Sequence, residues 1–330
     1  MDEPSAPLTK AEAERLYEMV EKLKAAGVTI IYISHRMEEI FRLTERITVM
    51  RDGQKIATLN TRDTNLDDLV KLMVGRELKE TYPKRKDCIS DEVLLDVQNL
   101  TGNGVHDISF QIRKGEVLGF AGLIGAGRTE LAELLFGAKR KTGGGVVLNG
   151  KQSDPKSPRE AIDTGIALVP EDRKKQGALL EVDIRGNISM AIIERISKVF
   201  TINKTEEKRI ANYYKDAMRI KTPSIEQKIK NLSGGNQQKA IIARWLASEP
   251  TLVIFDEPTR GIDVGAKSEI YALVNELVES GKAVLMISSE MEEVMGMSDR
   301  IIVLREGRIS GMLNRAEFNQ EKIMAFASRS

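Results

Sequence analysis

The sequence predicts an α/β protein, and three observations carry that prediction. An apolar run, VLGFAG from Val117, leads into the glycine-rich GLIGAGRTE and then into RTELAELLFG, amphipathic at helical spacing and closing on Gly137. Strand, glycine loop and helix in that order are what a phosphate-binding loop requires. A second apolar run, TLVIFDEPT from Thr251, ends in two adjacent carboxylates, Asp256 and Glu257. The third observation is an internal repeat: MDEPSAPLT at Met1 returns as FDEPTRGID from Phe255, at an offset of 254 that holds without a gap for about fifty residues.

Length and composition set the bounds. At 330 residues, 41% hydrophobic and 30% charged, the chain has a soluble, globular balance and can bury a sizeable core. Lys plus Arg at 50 against Asp plus Glu at 49 leaves a net charge of +1, so no global field draws the chain to nucleic acid or anionic lipid, and no nucleic-acid partner is expected. The single Cys88 excludes an internal disulfide framework and fits a reducing compartment. No stretch approaches the ~18 uninterrupted apolar residues of a membrane span, and the acidic MDEPSAPLTK is no secretory signal. A cytoplasmic protein is expected, with any membrane role supplied by a separate partner.

The repeat organises the chain. Tyr17 pairs with Tyr271, Gly27 with Gly281, ISHRMEEI from Ile33 with ISSEMEEV from Ile287, and ERITVMRDG from Glu45 with DRIIVLREG from Asp299. The second copy has a long run before its DEP, from about Glu92, where the first has only Met1. Residues 1–77 are therefore expected to be the C-terminal fragment of a first domain. Residues 78–91, within the charged and aperiodic LKETYPKRKDCISDE, read as a linker, and residues 92–330 as a second, complete domain. Three origins stay open for MDEP, an internal Met of a longer product, a misassigned start or a trimmed chain, and roughly 160 further residues are expected to be encoded upstream.

Within the second copy, VLLDVQNL from Val93, ISFQI from Ile108 and VLGFAG read as strands. In the glycine loop, Gly122, Gly127 and Thr129 match G-x-x-x-x-G-K-[ST], with Gly125, Ala126 and Glu130 inside or beside it and Arg128 at the lysine position. Its glycines let backbone N–H groups turn toward phosphate, and the helix N-terminus that follows adds its dipole. Thr129 is the expected Mg²⁺-side hydroxyl. Of the acid pair, Asp256 would hold the Mg²⁺ water shell, while Glu257 would polarise a water beside the γ-phosphate. Upstream, FTINKTEEKRIANYYKDAMRI from Phe200 reads as a helical lobe, and LSGGNQQKAIIARWLASEP from Leu232 as a Ser-Gly-Gly turn opening a helix that presents Ser233 and free N–H groups. His106 and Cys88 stand without partners at metal-ligand spacing, Trp245 reads as core, and KRKTGG and EDRKKQG read as solvated charge clusters.

At these residues the chain resembles the nucleotide-binding subunits of ABC transporters. LSGGNQQK, with GLIGAGRT before it and DEPTRGID after it, carries the likeness. More narrowly, VPEDRKKQG, KTPSIEQKIKNLSGGNQQK and RGIDVGAKSEIY resemble the second domain of the fused two-domain ATPase subunits of bacterial monosaccharide importers, of the ribose, galactose and xylose type. The resemblance implies an ABC-type nucleotide-binding domain, with a RecA-like P-loop core, an antiparallel β subdomain and a helical subdomain at about 180–245, preceded by the tail of a first such domain. It further implies ATP and Mg²⁺ as cofactors, and a head-to-tail pairing in which each ATP lies between one domain's loop and the other's signature helix, here Leu232, Ser233, Gly234, Gly235, Asn236 and Gln237. Integral-membrane permease subunits and a periplasmic sugar-binding protein are the implied partners, with the subunit peripheral at the cytoplasmic face of the inner membrane.

The second domain departs from the working pattern of that family. Arg128 replaces the lysine, Glu171 stands where a glutamine is expected, Ser289 stands where a histidine switch is expected, and no aromatic residue lies near residues 100–106 for adenine. The first-copy tail keeps Asp2, Glu3 and His35. The expectation is that the Arg128 loop binds ATP with weak or no hydrolysis, Glu3 and His35 serving the competent composite site. Two alternatives are a soluble ABC ATPase acting on ribosomes or nucleic acid, which the near-zero charge and the short linker disfavour, and a non-hydrolysing nucleotide sensor.

Overall fold

The computed structural model describes the chain except for Glu3, residues 6–9, His35, Arg36, Asp52, Gly53, Asp67, Val70, Lys71 and residues 73–81, 199–200 and 329–330. It forms two compact units, one of Met1–Thr81 with Asp263–Gly265 and one of the remaining residues.

Unit 1 contains α1 (Lys10–Ala25), α2 (Met37–Leu43) and an antiparallel hairpin, β1 (Arg46–Arg51) and β2 (Gln54–Asn60). Ala13, Tyr17 and Val20 recur at helical spacing on α1, and that stripe is buried with Leu43.

Unit 2 begins with an antiparallel sheet of β3 (Val93–Gly102), β4 (Val105–Arg113), β6 (Gly143–Leu148) and β7 (Lys151–Gln152), in the order β4-β3-β6-β7. Between β4 and β6 come β5 (Val117–Ala121) and α3 (Arg128–Leu135); beyond β7 come α4 (Pro158–Thr164) and β8 (Ile166–Val169). A helical region follows with α5 (Ile184–Ser189), the minimal hairpin of β9 (Ser197–Lys198) and β10 (Thr201–Ile202), α6 (Lys204–Ala217) and α7 (Gly234–Leu246). The chain then runs through β11 (Leu252–Asp256), α8 (Val264–Glu279), β12 (Ala283–Ile287), α9 (Met291–Met297), β13 (Arg300–Arg305), β14 (Arg308–Asn314) and α10 (Gln320–Ser328).

The central sheet has the order β14-β13-β5-β12-β11-β8 and is parallel except for β14. Every residue of β5, β11 and β12 is buried, because helices and the second sheet cover both faces; this is why those strands read as unbroken apolar runs while β4 alternates. Phe110 of β4 meets Phe120 of β5 edge-on at 5.2 Å, joining the two sheets through one core. Among the described residues no helix is long and apolar enough to cross a membrane.

The repeat survives into structure without slippage. Adding 254 to the bounds of α1, α2, β1 and β2 gives those of α8, α9, β13 and β14. Among the described residues only the counterpart of β12 differs: residues 29–33 keep a single bridge, Asp2 with Ile33. In unit 2, β12 is held from both sides by β5 and β11, and the described residues of unit 1 contain no equivalent of β5. Ile31 and Ile33 are accordingly 77% and 54% exposed, against 0% and 1% for Leu285 and Ile287.

Of residues 78–91, read from sequence as linker, those from Tyr82 onward belong to unit 2. The Tyr82 ring stacks on Tyr271 at 5.2 Å and covers Gly296, where a Cβ would meet the ring at 2.4 Å. Asn275 Nδ2 donates to the Pro83 carbonyl at 2.8 Å, Arg85 pairs with Asp299, and the Cys88 thiol donates to the Gly115 carbonyl at 3.4 Å.

Candidate nucleotide site

The site forms where three neighbouring parallel strands end. β5 runs into the glycine loop, β11 ends at Asp256, and β12 delivers Ser288 and Ser289, so the side chains that sequence separates by over a hundred residues meet at the carboxyl edge of the sheet. The loop's conformation needs its glycines. Gly122 has φ +154° and a Cβ there would lie 2.6 Å from the Leu304 carbonyl oxygen; Gly127 has φ +100° with the Gly307 backbone 3.0 Å from its Cβ position.

Arg128 opens α3 but does not project freely. Its Nη1 donates to the Ser288 carbonyl at 2.8 Å and its Nη2 lies 4.0 Å from Glu257 Oε1, with the side chain 11% exposed. Ser289 Oγ donates to Glu257 Oε2 at 3.0 Å. Arg128, Glu257 and Ser289 therefore form one cluster bridging loop, acid turn and switch position. Glu257 itself has φ +50°, a left-handed conformation that a residue with a Cβ adopts only at a cost of about 1–3 kcal/mol and that collects at functional sites. Burial pushes its carboxyl above the ordinary range, opposed chiefly by the Arg128 charge.

Asp256 is 2% exposed. Burial pushes its pKa up to about 7, against the Thr129 hydroxyl beside it, and among the described residues its Oδ1 has no hydrogen-bond partner. A buried carboxylate oxygen left unpaired next to a hydroxyl suits a hard divalent cation, so Thr129 and Asp256 fit Mg²⁺. Glu171 lies after β8 and is ion-paired with Arg260. Glu130 is a first-turn acid of α3. Glu3 and His35 lie outside the described residues.

The signature residues form a second cluster. Ser233 caps α7, its hydroxyl accepting from the Asn236 amide and from Asn236 Nδ2, the latter at 3.0 Å, while Gln237 Nε2 donates to the Leu232 carbonyl at 3.1 Å. Gly234 packs against the guanidinium of Arg173, whose Nε and Nη1 have no hydrogen-bond partner among the described residues. EDRKKQG, expected as a solvated charge cluster, thus divides: Lys174 and Lys175 are exposed on a π-turn capped by Asp172, while Arg173 turns inward onto the signature glycine. Sequence reasoning also missed Arg244, 5% exposed. Its Nε and Nη2 donate to the Asn187 carbonyl and Oδ1 at 2.7 and 2.6 Å, and its Nη1 donates to the Gly177 carbonyl at 2.7 Å, tying α7 to α5 and the π-turn. An arginine in the apolar IIARWLA was the available signal.

A glycine loop, an acid-tipped strand in the same sheet and a capped Ser-Gly-Gly helix on this sheet order define the fold of an ABC-type nucleotide-binding domain. Residues 105–260 match the family described as ABC transporter. The chain is 50% identical over 329 residues to the ribose import ATP-binding protein RbsA of Clostridium tetani, covering 99% of this chain and 65% of that protein. The RbsA of Bacillus subtilis is 48% identical over 329 residues, again 99% of this chain and 66% of that one. The chain thus spans just under two thirds of the length of these relatives. Among solved structures, a nucleotide-free ATP-binding cassette from an ABC transporter aligns with TM-score 0.63 at 21% identity, covering 72% of this chain and all of that one, a likeness that shows the fold.

Proposed function

We propose that this chain is part of the ATP-binding subunit of an ABC importer for a monosaccharide, and that its second domain binds ATP with Mg²⁺ while turning it over weakly or not at all. The observation that carries the reading is the Arg128 cluster. A phosphate loop, an acid turn and a switch position are assembled as for ATP, yet the cation that should reach the β- and γ-phosphates is a guanidinium already engaged by the Ser288 carbonyl and near Glu257. Arginine keeps the positive charge but not the compact ammonium that fits between phosphate oxygens. Mg²⁺, held by Thr129 and Asp256, would neutralise phosphate charge. Residues 122–129 would cradle the phosphates through backbone N–H groups, and Glu257 would orient a water.

Catalysis on this reading belongs to a composite site to which this chain contributes Glu3, His35 and the helix capped by Ser233. The relatives' name for ribose import, and the sequence likeness to monosaccharide importers, support a sugar as cargo, with membrane permease subunits and a periplasmic binding protein as partners and a peripheral position at the cytoplasmic face of the inner membrane. The test is calorimetric titration of the 330-residue chain with Mg-ATP together with a phosphate-release assay. Binding at micromolar to millimolar nucleotide, weakened in Arg128→Ala, with turnover at background, is expected. No binding at millimolar ATP, or turnover near one per second abolished by Glu257→Gln, overturns the reading.

A further inference from the structure

One buried carboxyl beside the site has no part in the chemistry above. Glu293 of α9 is wholly buried; Thr259 Oγ1 donates to its Oε1 at 2.7 Å, the hydroxyls of Ser288 and Tyr271 face the same group, and among the described residues Oε2 has no hydrogen-bond partner. Thr259 follows the DEP turn of Glu257, and Ser288 immediately precedes Ser289. The carboxyl therefore sits between the acid turn and the switch position.

The same arrangement occurs in unit 1. Glu39, 2% exposed, accepts from Ser5 Oγ, from Tyr32 at 3.0 Å and from Ser34 at 3.1 Å, with the Tyr17 hydroxyl facing it. Ser5, Tyr17, Ser34 and Glu39 correspond at the offset of 254 to Thr259, Tyr271, Ser288 and Glu293. The two copies differ in what surrounds them, since the counterpart of β12 in unit 1 is reduced to one bridge. A by-product of core packing has no reason to keep one acid and three hydroxyls in both settings. They differ in one respect: where unit 1 has Tyr32, unit 2 has Met286, and the second carboxyl oxygen loses that donor. Burial pushes both carboxyls up; at Glu39 the four hydroxyls outweigh it and hold the group below the ordinary range, whereas at Glu293 burial prevails.

We infer that Glu293 is a positioning residue for the nucleotide site: by accepting from Thr259 it fixes the turn of Glu257 against the segment carrying Ser288 and Ser289, and so sets where Glu257 and Ser289 stand relative to the terminal phosphate of a nucleoside triphosphate. The turn needs such a hold because Glu257 is in a left-handed conformation, tied otherwise to this segment by its amide to the Ile287 carbonyl at 3.0 Å and by Ser289 to its carboxylate. The inference rests on the proposed nucleotide site for its functional consequence and on geometry alone for the clamp.

The test uses the 330-residue chain with Glu293→Leu, Glu293→Gln and Thr259→Val, the last removing only a hydroxyl donor. Mg-ATP and Mg-ADP are titrated into each, and amide exchange is followed across residues 257–262 and 287–293. Glu293→Leu and Thr259→Val should weaken Mg-ATP by about 3–10-fold with Mg-ADP unchanged within twofold, and should speed exchange in those two segments alone. Glu293→Gln, which keeps the acceptor for Thr259, should restore both. Equal losses for ATP and ADP, exchange raised throughout unit 2, or no change in either readout overturns the positioning role. Absence of nucleotide binding by the unaltered chain would defeat the functional reading instead, and the exchange measurement then decides the clamp by itself.

Discussion

Arg244→Met should destabilise unit 2 by about 2–4 kcal/mol. The guanidinium makes three hydrogen bonds of 2.6–2.7 Å, and among the described residues it has no ion-pair partner. Burial lowers its pKa to about 10, so it remains charged at neutral pH. Three bonds from a charged donor are worth about 1.5–3 kcal/mol each, or about 5–9 in total. Removing a guanidinium from water takes back several kcal/mol of that. Methionine keeps most of the stem's volume, so the net loss reflects the two Asn187 oxygens and the Gly177 carbonyl losing their donor. Lysine, with one nitrogen in place of the fork, should recover about half. Urea unfolding followed through Trp245, the chain's single tryptophan and the next residue along, reports unit 2 directly. A loss below about 1 kcal/mol, or a gain in stability as seen when other buried charges are replaced by apolar residues, would refute the claim that these bonds outweigh desolvation.

Two further outcomes are expected. Tyr82→Ala, removing a half-buried ring from Tyr271 and Gly296, should cost about 1–3 kcal/mol by the same measurement, less than a fully buried aromatic; no loss would show that residues 82–92 only rest on unit 2. Glu293→Gln should gain stability over the natural chain as pH rises from 5 to 8. The folded carboxyl, raised by burial and by Glu290 nearby among Thr259, Ser288, Tyr271 and Tyr82, resists ionisation that the unfolded one undergoes in the ordinary carboxylate range, so the natural chain loses stability across that window and the amide does not. A pH-independent gap between the two would contradict this.

Much of this was readable before the structure. The strand, glycine loop and helix at residues 117–136 lie as expected, because local signals specify each piece: an apolar run for a strand buried on both faces, glycines where φ is positive, and an amphipathic stripe after them. The repeat predicted corresponding elements in the two copies: α1, α2, β1 and β2 match α8, α9, β13 and β14 residue for residue, while the counterpart of β12 is reduced to one bridge. Polar side chains that act from the interior were not readable. Glu293 sits in MEEV beside Glu292 and Glu290, and nothing local says which of three acids turns inward; that is decided by Thr259 and Tyr271, distant in sequence. Arg173 in a run of charges was hidden similarly, since only the fold brings Gly234 beneath it. The inward acid was nonetheless written twice, at Glu39 and Glu293.

The strap of residues 82–92 moves the practical edge of the second folding unit. A fragment cut where the first strand starts, at Val93, would retain every strand of the nucleotide site and yet strip the ring from Gly296, the carbonyl from Asn275 and the guanidinium from Asp299, whose Oδ2 also accepts the Val117 amide at the head of β5. The strand that feeds the glycine loop is thus anchored from outside the sheet. Secondary structure alone would place the scissors eleven residues too late, at 93 instead of 82.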